Sequence, residues 1–177
     1  MGIKIAEYDP AWPVLFEAAR AEIRAACGDR VLTVEHMGST SVPGLAAKPT
    51  IDIVAGVRSV ELDAPAVAEA MRPLGYAPMD TGMRGRLFLY REVDGRRTHH
   101  LHVVPEDELA EFNELLLRDW LREHPDDAAR YGALKKRLAG ELTDGFAYTK
   151  AKTELIQELV DAARLARGLA RVPVWVD

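Results

Sequence analysis

Glu35-His36-Met37-Gly38-Ser39-Thr40-Ser41-Val42-Pro43-Gly44-Leu45-Ala46-Ala47-Lys48-Pro49-Thr50-Ile51-Asp52-Ile53 is the stretch from which the fold is read. An apolar run, Val31 to Val34, leads into it, and a second, Ile51 to Val57, leads out carrying one carboxylate. The pattern predicts strand, loop, short helical turn, strand. Gly38 allows backbone where a Cβ would clash. Ser39, Thr40 and Ser41 bring three hydroxyls and N-capping chemistry, and a helix start here would aim N–H groups at an anion. Pro49 biases Lys48 toward extended geometry, holding a cation at the mouth of the second strand. Asp52 then faces the same cleft. This outlines a nucleotide or phosphate site with a metal or base position beside it. The plainer alternative is a turn between two strands.

Outward from that stretch, Asp9 and Pro10 open a helix over Val14 to Cys27, with Leu15, Ala18, Ala19, Ile23 and Ala26 near helical spacing. Trp12 reads as a packing residue. Ser59 to Leu74 reads as a helix closed by Gly75. Tyr76 to Met79 reads as a short edge strand, and Asp80 to Gly85 as a loop. Leu87 to Val93 and Arg97 to Val104 read as strands joined by the two-residue turn Asp94-Gly95. Alternation puts His100 and His102 on one face, with His99 on the other at the surface. His36 either lines the site or bonds the loop.

From Glu106 onward the pattern is helical: Leu109, Phe112, Leu116 and Trp120 form one stripe, Pro125 starts a helix reaching Leu142, and a long helix runs from Tyr148 to Leu169 after a connector at Thr143 to Phe146. Val172 to Asp177 either pairs as a strand or frays. The expected class is therefore α/β (α+β), a small mixed sheet with flanking helices. It forms one domain over 1–177, with an α/β core at 1–105 and a helical region at 106–171 packed on it.

Composition sets the outer limits. The chain has 177 residues, 48% hydrophobic and 29% charged, and a net charge of −5. Such a balance argues against a broadly basic nucleic-acid surface. Cys27 is the only cysteine, so neither an intrachain disulfide nor a cysteine zinc cluster is expected. No apolar run approaches the ~18 residues of a membrane span, and the start lacks signal-peptide character, so the expected place is the cytoplasm.

The block Gly38 to Leu45 with Lys48-Pro49 and Ile51-Asp52-Ile53 resembles the signature of the bacterial GrpB family. The similarity continues through His100-Leu101-His102-Val103, Arg118-Asp119-Trp120-Leu121, Tyr131 with Leu134-Lys135, and Tyr148 with Lys152. The resemblance implies a nucleotidyltransferase-like fold. In some bacteria such a domain is fused to dephospho-CoA kinase, where an accessory folding role is suggested.

Most nucleotidyltransferases of this kind carry Asp-x-Asp or Asp-x-Glu plus a third carboxylate. Here Val54 stands two residues after Asp52. Magnesium wants hard oxygen donors, whereas imidazoles favour zinc or manganese. A divalent ion, magnesium or manganese with zinc as the alternative, would then draw on Asp52, His102 and Glu35. A histidine pair could instead serve as general base.

The expected site thus has Asp52, His100 and His102 in the chemistry, with Gly38, Ser39, Thr40, Ser41, Lys48, Arg118, Lys135 and Lys152 around phosphate. Basic residues one helical turn from an aromatic, as in Tyr131/Lys135 and Tyr148/Lys152, suit a phosphate clamp, while Glu114 is a competing partner for Arg118. The leading expectation is metal-assisted transfer of a nucleotidyl or phosphate-linked group from a nucleoside triphosphate to a small acceptor. The alternatives are an ATP-using ligase or transferase, and a non-catalytic binding or folding-accessory module with a partner enzyme such as dephospho-CoA kinase.

Overall fold

A computed structural model describes residues 3–174. Five strands form one mixed sheet in the order β1-β2-β5-β4-β3. They are β1 (Val31–Met37), β2 (Ile51–Val57), β3 (Tyr76–Pro78), β4 (Leu87–Val93) and β5 (Arg96–Pro105). β1 and β2 run antiparallel, β2 and β5 parallel, and β5, β4 and β3 antiparallel. The Asp94-Gly95 turn places both residues at positive φ, 51° and 72°, as a tight hairpin of matching twist requires. β3 is the edge strand expected at Tyr76.

One face of the sheet is apolar. Val34, Ile51, Ile53, Ala55, Val57, Leu89, Leu101 and Val103 pack under α1 (Ala11–Cys27) and α2 (Val60–Met71). The buried stripe of α1 is Trp12, Phe16, Ala19, Ile23 and Cys27. The sequence stripe was rotated: Leu15 and Ala18 face solvent, because the two aromatics, not the alanines, set which side turns inward. The Asp9 carboxylate accepts from the Ala11 N–H at 2.8 Å, so the helix begins one residue later than Pro10. Ser59 caps α2 and Gly75 closes the 3₁₀ turn after it at φ 85°.

The other face carries Thr33, Glu35, Met37, Asp52, Val54, Gly56, His100, His102 and Val104. The register sets Met37, Asp52 and His100 in one row and Glu35, Val54 and His102 in the next. A 3₁₀ segment, Glu106–Glu111, stands where the sequence suggests an α-helix, and α3 (Asn113–Glu123) follows it. Its start seals one end of this face: Phe112 and Leu115 cluster with Met37, Val54 and Val104.

α4 (Pro125–Glu141), α5 (Gly145–Lys150) and α6 (Thr153–Ala166) complete the helical layer. The long helix expected from Tyr148 to Leu169 is two helices. Asp144 caps α5 by accepting from the Ala147 N–H at 2.7 Å, so Gly145 and Phe146 are helical rather than linker. α6 ends at Ala166. Val42 and Leu45, from the loop between β1 and β2, plug a second cluster made by Leu121, Tyr131, Ile156, Leu159 and Val160. Residues 172–174 form no strand, and 175–177 lie outside the described residues.

Burial fixes which α1 residues matter. Ile23→Ala is expected to cost about 2–5 kcal/mol and Leu15→Ala within about 0.5 kcal/mol, measured by urea unfolding. Equal losses would contradict the stripe assigned here.

Candidate functional site at the end of the sheet

β1 ends in Met37 and the chain turns at Gly38, at φ 71°. A Cβ there would lie 2.5 Å from Asp52 Oδ2. Only glycine lets the loop backbone close against that carboxylate. Asp52 and His100 are register partners on adjacent parallel strands, and His100 Nδ1–H donates to Asp52 Oδ1 at 2.9 Å. The carboxylate is therefore fixed from both sides, yet remains about a third exposed.

The loop forms a single 3₁₀ turn, Ser39–Ser41, instead of the helix start that the hydroxyls suggest. Two of its hydroxyls hold the turn together. Thr40 Oγ lies 2.9 Å from His36 Nε2 and donates to the Thr50 carbonyl, and the Ser41 hydroxyl donates to the Gly38 carbonyl. Ser39 is the exception among the three, its hydroxyl pairing with the Tyr131 phenol. Arg122 anchors the loop: Nε and Nη2 donate to the Ser41 carbonyl at 3.0 and 2.7 Å.

Three lysines converge here. Lys48 and Lys152 each set an ammonium over the Tyr148 ring, 4.5 and 4.4 Å from its centre. Lys135 is buried, sits 4.7 Å over the Tyr131 ring and donates to the Ala46 carbonyl. Burial, then repulsion from Lys152, lowers Lys135 to about 7, with Asp52 opposing. Burial, then repulsion from Lys48, lowers Lys152 to about 8, again opposed by Asp52. Lys48 is lowered mainly by burial. Burial also raises the Tyr148 phenol to about 12, so it stays a neutral donor. Three ammonium groups thus share the field of one carboxylate. Such an arrangement is short of negative charge and suits a polyanion.

The remaining expected residues serve elsewhere. Arg118 Nη1 donates to Glu35 Oε2 at 2.7 Å and to the His36 carbonyl at 3.0 Å, while Nε donates to Asp119 at 2.8 Å. It ties α3 to β1, where the sequence suggested a phosphate ligand. Glu114, its suspected partner, instead receives Arg86 Nη1 at 3.0 Å. His102 shares the site face but is buried, edge-on to Phe88 and 3.5 Å from Arg86 Nη1. Desolvation lowers it to about 4, so it is neutral. His99 faces away as expected but is buried, with Arg91 donating to it, and is not a surface group. His36 is stacked on Phe16 on the apolar side.

Sequence reasoning left Tyr131 and Tyr148 off the site although the four-residue spacing to Lys135 and Lys152 pointed at them. Arg86 had no signal, being in a loop read as unspecific.

The family model for GrpB protein matches residues 2–162. The chain belongs to the GrpB family. It is 35% identical over 167 residues to UPF0157 protein YqkA of Bacillus subtilis, a match taking in 92% of this chain and 47% of that one. It is also 29% identical to a dephospho-CoA kinase of Mycolicibacterium paratuberculosis, covering 81% of this chain and 41% of that protein. The crystal structure of conserved protein GrpB from Enterococcus faecalis superposes with a TM-score of 0.82 at 36% identity, over 90% of this chain and 96% of that one.

Terminal uridylyl transferase 4 from Trypanosoma brucei, solved with bound dUTP, gives a TM-score of 0.55 at 12% identity, over 94% of this chain and 57% of that one. The Cid1 poly(U) polymerase bound to MgATP gives 0.54 at 14% identity, over 77% and 44%. These last two likenesses show the fold, which is of nucleotidyltransferase type. Among the described residues no helix is long and apolar enough to cross a membrane.

The fold family implies divalent ions held by carboxylates, and the donors here do not fit them. Val54 occupies the second carboxylate's place, 0% exposed under Phe112 and Leu115. Glu35 is committed to Arg118, and His102 lies beside Arg86. Asp52, His102 and Glu35 therefore do not form the expected ligand set. Among the described residues, no group of three or more His, Cys, Asp or Glu side chains is placed to hold an ion.

Two outcomes follow. His36, His99 and His102 each fall from 6.5 to about 4 on folding, so the unfolded chain binds more protons between those values. Each shift corresponds to about 3 kcal/mol. Stability should be full above pH 6.5 and fall by several kcal/mol as pH drops to 4, and a flat urea-midpoint profile across that window would contradict their burial. Val54→Asp should cost at least about 3 kcal/mol because it buries an unpaired carboxylate. A variant as stable as wild type in urea would mean that the position is open to ions.

Proposed function

We propose that this protein binds a nucleoside triphosphate at the end of the sheet and transfers its nucleotidyl group to a small acceptor. One observation carries the reading: Lys48, Lys135 and Lys152 converge with Tyr131, Tyr148 and Ser39 beside the single carboxylate of Asp52. A triphosphate tail would bring the negative charge these ammonium groups lack, and cation-to-phosphate hydrogen bonds are among the stronger polar contacts.

Asp52 is the base of this scheme. His100 holds its Oδ1, and the Gly38 backbone confines its Oδ2. The acceptor's hydroxyl or amine passes its proton to the carboxylate while its heavy atom bonds the α-phosphorus. The bond from that phosphorus to the bridging oxygen breaks, and pyrophosphate leaves. The lysines stabilise the charge that develops on it. Positioning and charge stabilisation provide most of the acceleration in such transfers.

The sealed Val54 position favours a second reading, in which the same cradle binds nucleotide without turnover. The partial match to a dephospho-CoA kinase fits a module that supports a partner enzyme. Product analysis separates the two: nucleotide joined to an acceptor against nucleotide recovered intact.

Calorimetric titration with ATP, CTP, GTP and UTP tests the reading. At least one should bind wild type, and Ser39→Ala with Lys152→Met should weaken it by at least about tenfold, since each lost charge-assisted contact is worth roughly 1.5–3 kcal/mol. No nucleotide binding wild type more tightly than this double variant would end the proposal.

A further inference from the structure

We infer that the triphosphate tail is gripped by the ammonium groups of Lys48, Lys135 and Lys152 in place of protein-held divalent ions, so that nucleotide binding does not depend on a divalent ion. The inference rests on the proposed nucleotide site and says how that site is charged.

The positions that could ligate ions are used otherwise. Asp52 lies against the loop at Gly38 and is paired with His100, whereas Glu35 and Glu114 are tied to arginines. One carboxylate, already holding His100, gives a hard divalent ion too few oxygens for its octahedral shell. The next position on the same face is Val54, and it could not be converted cheaply, because Phe112 and Leu115 keep it dry. The Glu35 carboxylate is neutralised by Arg118 at 2.7 Å, and the ring of His102 has a guanidinium 3.5 Å away.

The positive charge that ions would supply is instead built into the chain. Lys135 comes from α4, Lys152 from the break between α5 and α6, and Lys48 from the mouth of β2. These three separate elements set ammonium groups over two rings, Lys135 over Tyr131 and both Lys48 and Lys152 over Tyr148. A triphosphate carries about four negative charges at neutral pH, so three ammonium groups match most of it; Lys135 and Lys152 are largely desolvated, and their charge is less screened than that of the exposed Lys48. The mutual repulsion of the empty cluster is relieved when a polyanion enters, which adds to affinity without any metal.

The two charging schemes respond oppositely to Asp52. If it ligates an ion, its loss removes binding. If it is only a base, it repels the tail, and its loss strengthens binding.

The test is calorimetry with ATP, once with excess EDTA and once with magnesium, on wild type, Asp52→Asn, Lys152→Met and the more exposed Lys48→Met, with thermal melting to confirm folding. Inorganic tripolyphosphate is run as competitor in EDTA. The inference expects Kd values in the two media within about threefold, Asp52→Asn binding at least as tightly as wild type in both, either lysine variant weakened at least about tenfold in both, and displacement by tripolyphosphate. ATP binding seen only with magnesium and lost in Asp52→Asn overturns it while leaving the nucleotide site intact. Binding in EDTA that the lysine variants do not weaken, or that tripolyphosphate does not displace, also overturns it. Absence of ATP binding in both media removes the nucleotide site and this inference together.

Discussion

The Asp52 carboxylate is the point on which the site depends. One oxygen accepts from His100 across the parallel pair of β2 and β5, and the other lies against a glycine that no other residue could replace at that φ. It is also the carboxylate whose attraction opposes the loss of charge on Lys48, Lys135 and Lys152. Remove the register between β2 and β5, and neither the histidine contact nor the lysine field survives. The sheet is thus a frame for one charge.

The helical layer turns that charge into a cleft. Val42 and Leu45 lock the loop into the core of α3, α4 and α6, and Arg122 holds its Ser41 carbonyl. α4 delivers Lys135, the break between α5 and α6 delivers Lys152, and Lys48 comes from the loop itself. Burial lowers Lys135 and Lys152, and each is lowered further by a neighbouring lysine, a strain that apolar packing elsewhere sustains. On the other side of the same face, Phe112 and Leu115 close over Val54. One half of the face holds the partly exposed Asp52 and His100, and the other is dry.

Much of this was legible in the chain. Alternation and the Asp94-Gly95 turn located the strands almost to the residue, since period two and a turn demanding positive φ are local signals. That Asp52 and the His100/His102 pair each lie on a strand was readable; that β2 and β5 are neighbours, which brings Asp52 to His100, was not. Nor were other long-range facts. The side of α1 turned inward depends on Trp12 and Phe16 meeting the sheet. The break after Lys150 has neither glycine nor proline to mark it. Arg118 looked like a phosphate ligand because nothing local says that Glu35 and Asp119 reach it first. The same holds for Arg86 and Glu114. Spacing revealed which residues share a face, but not which charges were already paired.

The central claim is that three ammonium groups are crowded around one carboxylate and left short of negative charge. Carbon-13 labelling of lysine, with the Cε signals of Lys135 and Lys152 followed by NMR against pH, measures this directly. Midpoints near 7 and 8 in the free protein, rising toward the ordinary lysine range of about 10.4 once ATP is bound, are the predicted result. Midpoints already in the ordinary range and unmoved by ATP would contradict it.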